Sequence, residues 1–514
     1  MSITLVTAVF ILPFMAEWFT ASLHTESQQR RAAFYILCPL VGVLVYGTCV
    51  IVTGREFLGF AGALLYYGGL TAVSNKKLEI LREPFNAHDF DNLRNLYIYP
   101  EFYVSYVGWP LLILVISVFT SLVGVAFWLE APLAVYNQIP WAIVLIFWFV
   151  GLYLLRLAFK RFINETTMKD YGLSLHVGTD ARAFGLFPTI YLYRLLLGGS
   201  AEKPALRNRP LHITKVTEKP ADIIAIQGES YFDIERLFSK LPEGKSTSWK
   251  PLRALEEKGV LTGQITVPAW GAYTMQTEFS FLSGIENSLL GIDHINPYMR
   301  FAQTPVATYV RALKAAGYRT ICIHPAKKEF FRRSDVMPNL GFDDFIGLEA
   351  FEGAPYYGKY IADDALADEI EHIIQGHHAM HTEPLFIFAI TIESHGPWAE
   401  GRLAAHVDEE KLTAANPMGD PAFALYQNHM ENLLALYRRL SVDAGKTALR
   451  TSRTVALYGD HMPAHGALFE KYGFDETPVD YLLWSNTAQS EIPETMRSET
   501  FFETILHTAG LKLL

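Results

Sequence analysis

Cysteine is scarce in this 514-residue chain, with three in all: Cys38, Cys49 and Cys322. Two share one apolar run and the third stands alone, so neither a disulfide framework nor a thiolate zinc site can be assembled from them. Positive charge is also short: 43 Lys and Arg face 53 Asp and Glu, a net charge of −10. That balance argues against a nucleic-acid partner. Charge of either sign is missing altogether from residues 32–54, 102–129 and 131–155. Each run exceeds the ~20 apolar residues that cross a bilayer as a helix. Residues 3–22 carry only Glu17 and residues 57–74 carry no charge, so both read as further spans. Buried core helices are the alternative, and they rarely lack charge on every face. The first run has no basic segment ahead of it and other spans follow it. It is therefore expected to be a retained span and not a cleaved signal peptide.

The loops orient the spans. Arg30 and Arg31 follow the first, Lys76, Lys77, Arg82 and Arg94 the third, and Arg156, Lys160 and Arg161 the fifth. The loop "EAPLAVYNQ" after the fourth has no Lys or Arg. Positive-inside reasoning puts loops one, three and five in the cytoplasm and the N-terminus outside. Five spans leave the C-terminal part inside the cell, and a sixth crossing places it outside. The candidate for that crossing, "AFGLFPTIYLYRLLLGG" (183–199), is short and carries Arg194, so it reads equally as an interfacial helix. The domain plan is a transmembrane bundle over 1–200, a linker over 201–217 and a soluble domain over 218–514.

The soluble part alternates. "ADIIAIQGES", "RTICIHPA", "LFIFAITIESHG", "TVALYGDH" and "VDYLLWS" read as strands. "VATYVRALKAAGY", "ALADEIEHIIQGHH", "FALYQNHMENLLALYRRLSVDAG" and "SETFFETILHTAG" read as helices between and after them. Such alternation predicts an α/β fold with a mostly parallel sheet. In such sheets chemistry gathers where the carboxyl ends of the strands meet loops.

Three polar groups stand directly after predicted strands: Glu229, His395 and the pair Asp460–His461. Each alone is more simply a turn residue or a helix cap. Together with a hydroxyl at a helix start they form what a divalent cation with oxygen and imidazole ligands requires. Without a thiolate, ligand softness does not choose among Mn²⁺, Mg²⁺ and Zn²⁺. The hydroxyl is Thr274 in "WGAYTMQTEFSFLSG" (270–284). A threonine is a weak nucleophile until activated, and a cation activates a bound oxygen by lowering its pKa. The helix N-terminus adds unpaired N–H groups facing an anionic phosphorus centre. Thr274 also reads as a helix cap, and the two roles are compatible.

"IQGES", "GAYTMQTEFSFLSGI", "ESHGPW" and "YGDHMP", in that order after the apolar spans, resemble the lipoteichoic-acid synthase and phosphoglycerol transferase family of the alkaline phosphatase–sulfatase superfamily. The resemblance implies one metal, usually Mn²⁺, held by Glu229, Thr274, Asp460 and His461, with Thr274 as nucleophile. It implies substrate contacts from His395, His324 and Arg333, the last in "FFRRSD". Two positions depart from the family pattern, Ala326 for an aspartate and Phe331 for a tryptophan, which bears on glycerol recognition. Lys327 and Lys328 read as a solvated basic turn or as further anion contacts, and His465 as a ligand to a second metal only with additional partners. The segment "TMQTE" lacks the Cys- or Ser-x-P-x-R pattern of formylglycine sulfatases. The function implied is transfer of glycerophosphate from phosphatidylglycerol to an envelope polysaccharide or glucan. The catalytic domain is then on the outer face of a bacterial cytoplasmic membrane, with no nucleic-acid partner. Rival readings are a phosphoethanolamine transferase, a metal-dependent phosphodiesterase using water, and a non-catalytic membrane sensor.

Overall fold

The structure, a computed structural model, describes residues 3–21, 30–91, 109–160, 162–197, 206, 208–242, 248–399, 401–446, 452–487 and 492–514. It divides into two compact units, Met1–Ala201 and Glu202–Leu514. Among the expectations above, Arg94, Arg161, residue 22, residues 102–108 of the fourth run, 198–199 and the linker residues 201–205 and 207 lie outside the described residues.

The N-terminal unit is helical. A first stretch, Ile3–Val6, Thr7–Ile11 and Leu12–Trp18, precedes α1 (Ala32–Thr53), α2 (Glu56–Leu81), α3 (Trp109–Leu129), α4 (Trp141–Lys160) and α5 (Leu186–Leu197). Three of these, α1, α2 and α4, are long and apolar enough to cross a membrane. The helix expected across 131–155 begins only at Trp141, after a 3-10 turn at Ala134–Asn137 and Pro140, a residue that cannot continue a helix on its N-terminal side. Glycines bring backbones close. A Cβ on Gly59 would meet Val50 Cα at 2.8 Å, and one on Gly42 would meet the Val9 carbonyl oxygen at 2.4 Å. The lone charge of the first run, Glu17, is buried and accepts from Arg30 Nη2 at 3.2 Å and the Phe187 amide at 3.0 Å. The segment 183–199 breaks at Gly185 (φ 96°). Its helix α5 has 12 residues, roughly 18 Å of rise against a hydrocarbon layer of about 30 Å.

The C-terminal unit is built on one eight-stranded sheet. Its strands are β1 (Asp222–Gly228), β2 (Leu261–Thr266), β3 (Arg319–Ile323), β4 (Asp344–Ile346), β5 (Leu385–Ile390), β6 (Arg453–Gly459), β7 (Val479–Ser485) and β8 (Thr495–Arg497). Their order is β8-β2-β7-β6-β1-β5-β3-β4. Five neighbouring pairs are parallel, and β7 is antiparallel to both β2 and β6. The parallel centre, β6-β1-β5-β3, consists of strands whose residues are almost all buried, as expected where helices cover both faces. Inside the stretch expected to be linker, Ile213–Lys215 pairs antiparallel with Leu511–Leu513. The helices that matter for the site are α6 (Thr274–Ser283), α7 (Arg333–Leu340), α8 (Asp363–Met380) and α9 (Pro421–Arg438).

Register places the strand ends. Gly228 of β1 lies opposite Gly459 of β6, Gln227 opposite Ile390 of β5, and Ile323 of β3 opposite Ala389. The residues that follow, Glu229, Asp460, Thr391 and His324, therefore leave the sheet at one edge, about 4.8 Å apart strand to strand. Gly459 has no room for a side chain, since a Cβ there would sit 2.0 Å from the Tyr231 carbonyl oxygen and 3.0 Å from Val479 Cβ. Gly459→Ala is expected to destabilise the unit by about 3 kcal/mol through overpacking against backbone. Thermal melting of the purified protein checks this, and a midpoint within roughly one degree of wild type would contradict it.

Candidate metal and phosphoryl-transfer site

Glu229, Asp460 and His461 are buried, and one ligand atom from each lies within 4.8 Å of the others. The loop after β1 is fixed from both sides. The Glu229 amide donates to Thr391 Oγ1 (3.0 Å), Ser394 Oγ donates to the Glu229 carbonyl (2.9 Å), and the Ser230 amide donates to Asp460 Oδ1 (2.8 Å). Ser230 Oγ donates to Glu229 Oε1 at 3.0 Å. The His461 amide also donates to Asp460 Oδ1 (3.0 Å). Asp460 Oδ2 is buried and, among the described residues, has no partner of ordinary hydrogen-bond geometry.

His461 is oriented as metal-binding histidines are. Its Nδ1 is 3.0 Å from the Met462 carbonyl, so Nδ1 carries the proton. Its Nε2 faces Asp460 Oδ2 at 3.3 Å and Glu229 Oε1 at 3.6 Å. A bare nitrogen pointing at two carboxylates is repulsive unless a cation or a proton stands between them. Burial pushes the imidazole down, but Asp460 and Glu229 outweigh burial and hold it above the usual histidine value. Burial and the Glu229 charge raise the Asp460 carboxyl from 3.8 to about 6, while first His461 and then the Ser230 amide and the Thr274 hydroxyl act the other way. The orphaned Oδ2, the tautomer and the oxygen–imidazole donor set all fit one divalent cation.

Thr274 joins this cluster through α6. It is the first residue of the helix and is buried. The N-cap is Tyr273, in the left-handed region at φ 65°, so Thr274 does not cap the helix as its position suggested. Its hydroxyl instead approaches Asp460. The Gly271 amide donates to the Met462 carbonyl (3.1 Å) and Thr277 Oγ1 to the Asp460 carbonyl (2.6 Å), tying α6 to the loop after β6.

The other expected residues sit on the same edge. His324 is buried, with Nδ1 3.0 Å from the Ile390 carbonyl. Burial first, and then the Arg333 cation, push it down to about 3, so it stays neutral with Nε2 as an acceptor. His395 is half-buried and its Nδ1 lies 2.8 Å from the Gly396 carbonyl. Arg333 opens α7, buried, after Phe331 and Arg332 in left-handed conformations (φ 54° and 57°). Two further candidates have neighbours of their own. Lys328 pairs with Glu349. His465 lies among rings, stacked on Trp398 at 4.4 Å and edge-on to Tyr426, and burial pushes it down to about 4. It is not part of the metal-capable group found among the described residues. Glu278 went unrecognised as a site residue. Its place in "TEF", four residues after Thr274, was visible, but its partner is distant in sequence: Arg333 Nη2 lies 2.9 Å from its Oε2.

Because the folded Asp460 carboxyl is raised, it favours the cation-free fold below its ordinary 3.8 and that contribution is lost as pH rises through about 6. Cation binding must displace this proton. Thermal stabilisation by added Mn²⁺ is therefore expected to be small at pH 5 and to grow to a plateau by about pH 7. A shift independent of pH, or one retained in Asp460→Asn, would contradict the ligand set.

A family profile described as Sulfatase matches residues 235–511, a span that includes Thr274, Arg333, His395, Asp460 and His461. The capsular polysaccharide biosynthesis protein RkpI of Rhizobium meliloti is 26% identical over 458 residues, 86% of this chain and 79% of that protein. Among solved structures, the integral membrane protein lipooligosaccharide phosphoethanolamine transferase A of Neisseria meningitidis covers 99% of this chain and 94% of its own, at 12% identity and TM-score 0.54. Phosphoglycerol transferase GacH of Streptococcus pyogenes, in complex with sn-glycerol-1-phosphate, covers 58% of this chain and 76% of its own, at 20% identity and TM-score 0.43. With more than half of its length matched, the chain belongs to the sulfatase family.

Proposed function

We propose that the chain is a membrane-embedded transferase that moves glycerophosphate from phosphatidylglycerol to an envelope glycan. The observation that carries this reading is the Thr274 hydroxyl, on the first residue of a buried helix, beside a buried cluster of two carboxylates and one imidazole. Glu229, Asp460, His461 and Thr274 would hold a divalent cation, Mn²⁺ ahead of Mg²⁺ or Zn²⁺, whose Lewis acidity lowers the pKa of an oxygen bound to it. Thr274 Oγ, its proton already given up to solvent, attacks phosphorus in line with the diacylglycerol oxygen and in the second step leaves as the same alkoxide. The Oγ–P bond forms as the P–O bond to diacylglycerol breaks, and His395 gives the leaving oxygen its proton. An acceptor hydroxyl then attacks the glycerophosphoryl-threonine, Thr274 leaves, and the acceptor's proton returns to His395. Arg333 and the amides at the start of α6 donate hydrogen bonds to the phosphoryl oxygens.

Donor choice is supported by what the nearby carboxylates already do. Glu278 accepts from Arg333, Gln227 and Tyr298. Glu393, beside His395, accepts from His429, Asn432 and the Asp363 amide. Neither is available to hold an ammonium head group, which favours a neutral glycerol. The glycan acceptor is supported by the relative named for capsular polysaccharide biosynthesis. The reading places the protein in the bacterial cytoplasmic membrane with its catalytic unit on the outer face, where lipid and glycan meet.

Purified full-length protein with Mn²⁺ is expected to release diacylglycerol from phosphatidylglycerol vesicles and not from phosphatidylethanolamine vesicles. The reverse preference would assign a phosphoethanolamine transferase, and free glycerophosphate in the presence of glycan would assign a hydrolase. Thr274→Ala is expected to lose at least about 10³-fold in rate with melting unchanged within a few degrees. Full activity in that variant would sink the covalent route.

A further inference from the structure

We propose that Glu278 is a positioning residue that sets the orientation of the Arg333 guanidinium toward the transferred phosphate. This rests on the reading of Arg333 given above and extends it to a residue with no assigned part.

A carboxylate offers about four lone-pair positions, and all four on Glu278 are filled. Arg333 Nε lies 3.2 Å from Oε1 and Arg333 Nη2 lies 2.9 Å from Oε2. Gln227 Nε2 donates to Oε2 at 2.9 Å, and the Tyr298 hydroxyl donates to Oε1. Glu278 is fully buried. Saturated and sealed in this way, it has no capacity left to ligate a cation or to take a proton from substrate. Its consequence falls on Arg333. The side-on, two-point grip uses Nε and Nη2 and fixes the guanidinium plane. Nη1 of this buried arginine has no hydrogen-bond partner among the described residues. That end is the one left to meet an anion.

The grip is anchored where the reaction occurs. Gln227 lies two residues before Glu229 on β1, and its Oε1 accepts from the Tyr458 hydroxyl at 2.7 Å. Tyr458 lies two residues before Asp460 on β6, and Gln227 and Tyr458 are register partners. Glu278 itself is one turn along the helix that Thr274 opens. One hydrogen-bonded chain thus links the strands carrying the cation ligands, the nucleophile's helix and the arginine. Arg333 lies after two consecutive left-handed residues, Phe331 and Arg332.

The test is a double-mutant cycle on full-length protein in phosphatidylglycerol vesicles with Mn²⁺, following diacylglycerol release. Glu278→Gln is expected to raise KM for the lipid about 10- to 100-fold, the worth of a charged hydrogen-bond pair, with kcat changed less than about threefold. Arg333→Ala is expected to raise KM at least as far, and Glu278→Gln on that background to raise it no further. Tyr298→Phe, which leaves both arginine bonds in place, is expected to change KM by less than about threefold. A fall in kcat with KM unchanged in Glu278→Gln, or full additivity with Arg333→Ala, overturns the positioning role. Should Glu278→Gln alone fail to fold, the cycle's double variant, which holds no unpaired cation, decides against Arg333→Ala: equal KM supports the role and a further rise overturns it. An unchanged KM in Arg333→Ala removes the phosphate grip itself and the positioning role with it. Thr274→Ala separates that failure from loss of the transfer chemistry.

Discussion

Two carboxylates buried side by side are the constraint on which the catalytic unit turns. The parallel register of β1 and β6 brings Glu229 and Asp460 out of the sheet as neighbours, with Gly228 and Gly459 leaving no room to shift either strand. Like charges in a low-dielectric setting repel strongly, and a fold would not keep both without compensation. The imidazole of His461 is turned so that Nε2 faces both carboxylates, an arrangement that calls for a cation or a proton between them. An arrangement that concentrates lone pairs from three side chains, and leaves Asp460 Oδ2 without a hydrogen bond, is stable chiefly when a cation occupies the centre. The same electrostatic demand would account for the role proposed for Thr274, since a hydroxyl beside that centre would offer a fourth oxygen donor.

Backbone strain marks the same residues. Among the described residues of the catalytic unit, the non-glycine positions with left-handed φ are Ser230, Tyr273, Phe331 and Arg332. Each adjoins, or leads directly into, Glu229, Thr274 or Arg333. Such conformations cost about 1–3 kcal/mol apiece and persist only where the surroundings enforce them. Here they turn the chain sharply as it leaves a strand or enters a helix, and so aim a side chain that a relaxed turn would send elsewhere. The stabilisation that offsets them lies in the surrounding core, where Phe281 packs on Tyr458 at 4.3 Å and Phe279 stacks on Phe301 at 4.6 Å. A rigid apolar body thus holds a small, strained polar edge.

How much of this was legible in the sequence follows from the range of the signals. Apolar runs ending in Gly-Glu, Glu-Ser-His and Gly-Asp-His identified β1, β5 and β6 and the groups at their ends, because a buried parallel strand is a local pattern. The strands β2, β4 and β8 were not distinguished. "LTGQIT" is short, is interrupted by Gly263 and is only partly buried, and β4 and β8 have three residues each, so none shows a period. Their existence depends on pairing with strands remote in sequence, as Gly263 does opposite Tyr481. The cap at Thr274 was misplaced by one residue, since nothing in the letters signals that Tyr273 takes the left-handed conformation. Glu278 was visible as a letter but not as a partner, because its meaning lies 55 residues away at Arg333.

The two charged centres have opposite electrostatic characters, and this sets how the site can be filled. Glu278 and Arg333 cancel one another, so the arginine contributes direction and hydrogen bonds more than net positive potential. Among the described residues, Glu229 and Asp460 have no such cationic partner beyond the His461 imidazole. Without a divalent cation the edge of the sheet carries net negative charge, and a phosphodiester approaching it would meet repulsion that a neutralised arginine cannot reverse. With two positive charges added, the sign of the centre changes while the geometry of Arg333, fixed independently by Glu278, Gln227 and Tyr298, does not. Charge and orientation are therefore supplied by separate devices, the first dependent on a bound ion and the second built into the fold. On the proposed reading, that division would let a protein with a net charge of −10 meet a phosphodiester at one small edge of its sheet.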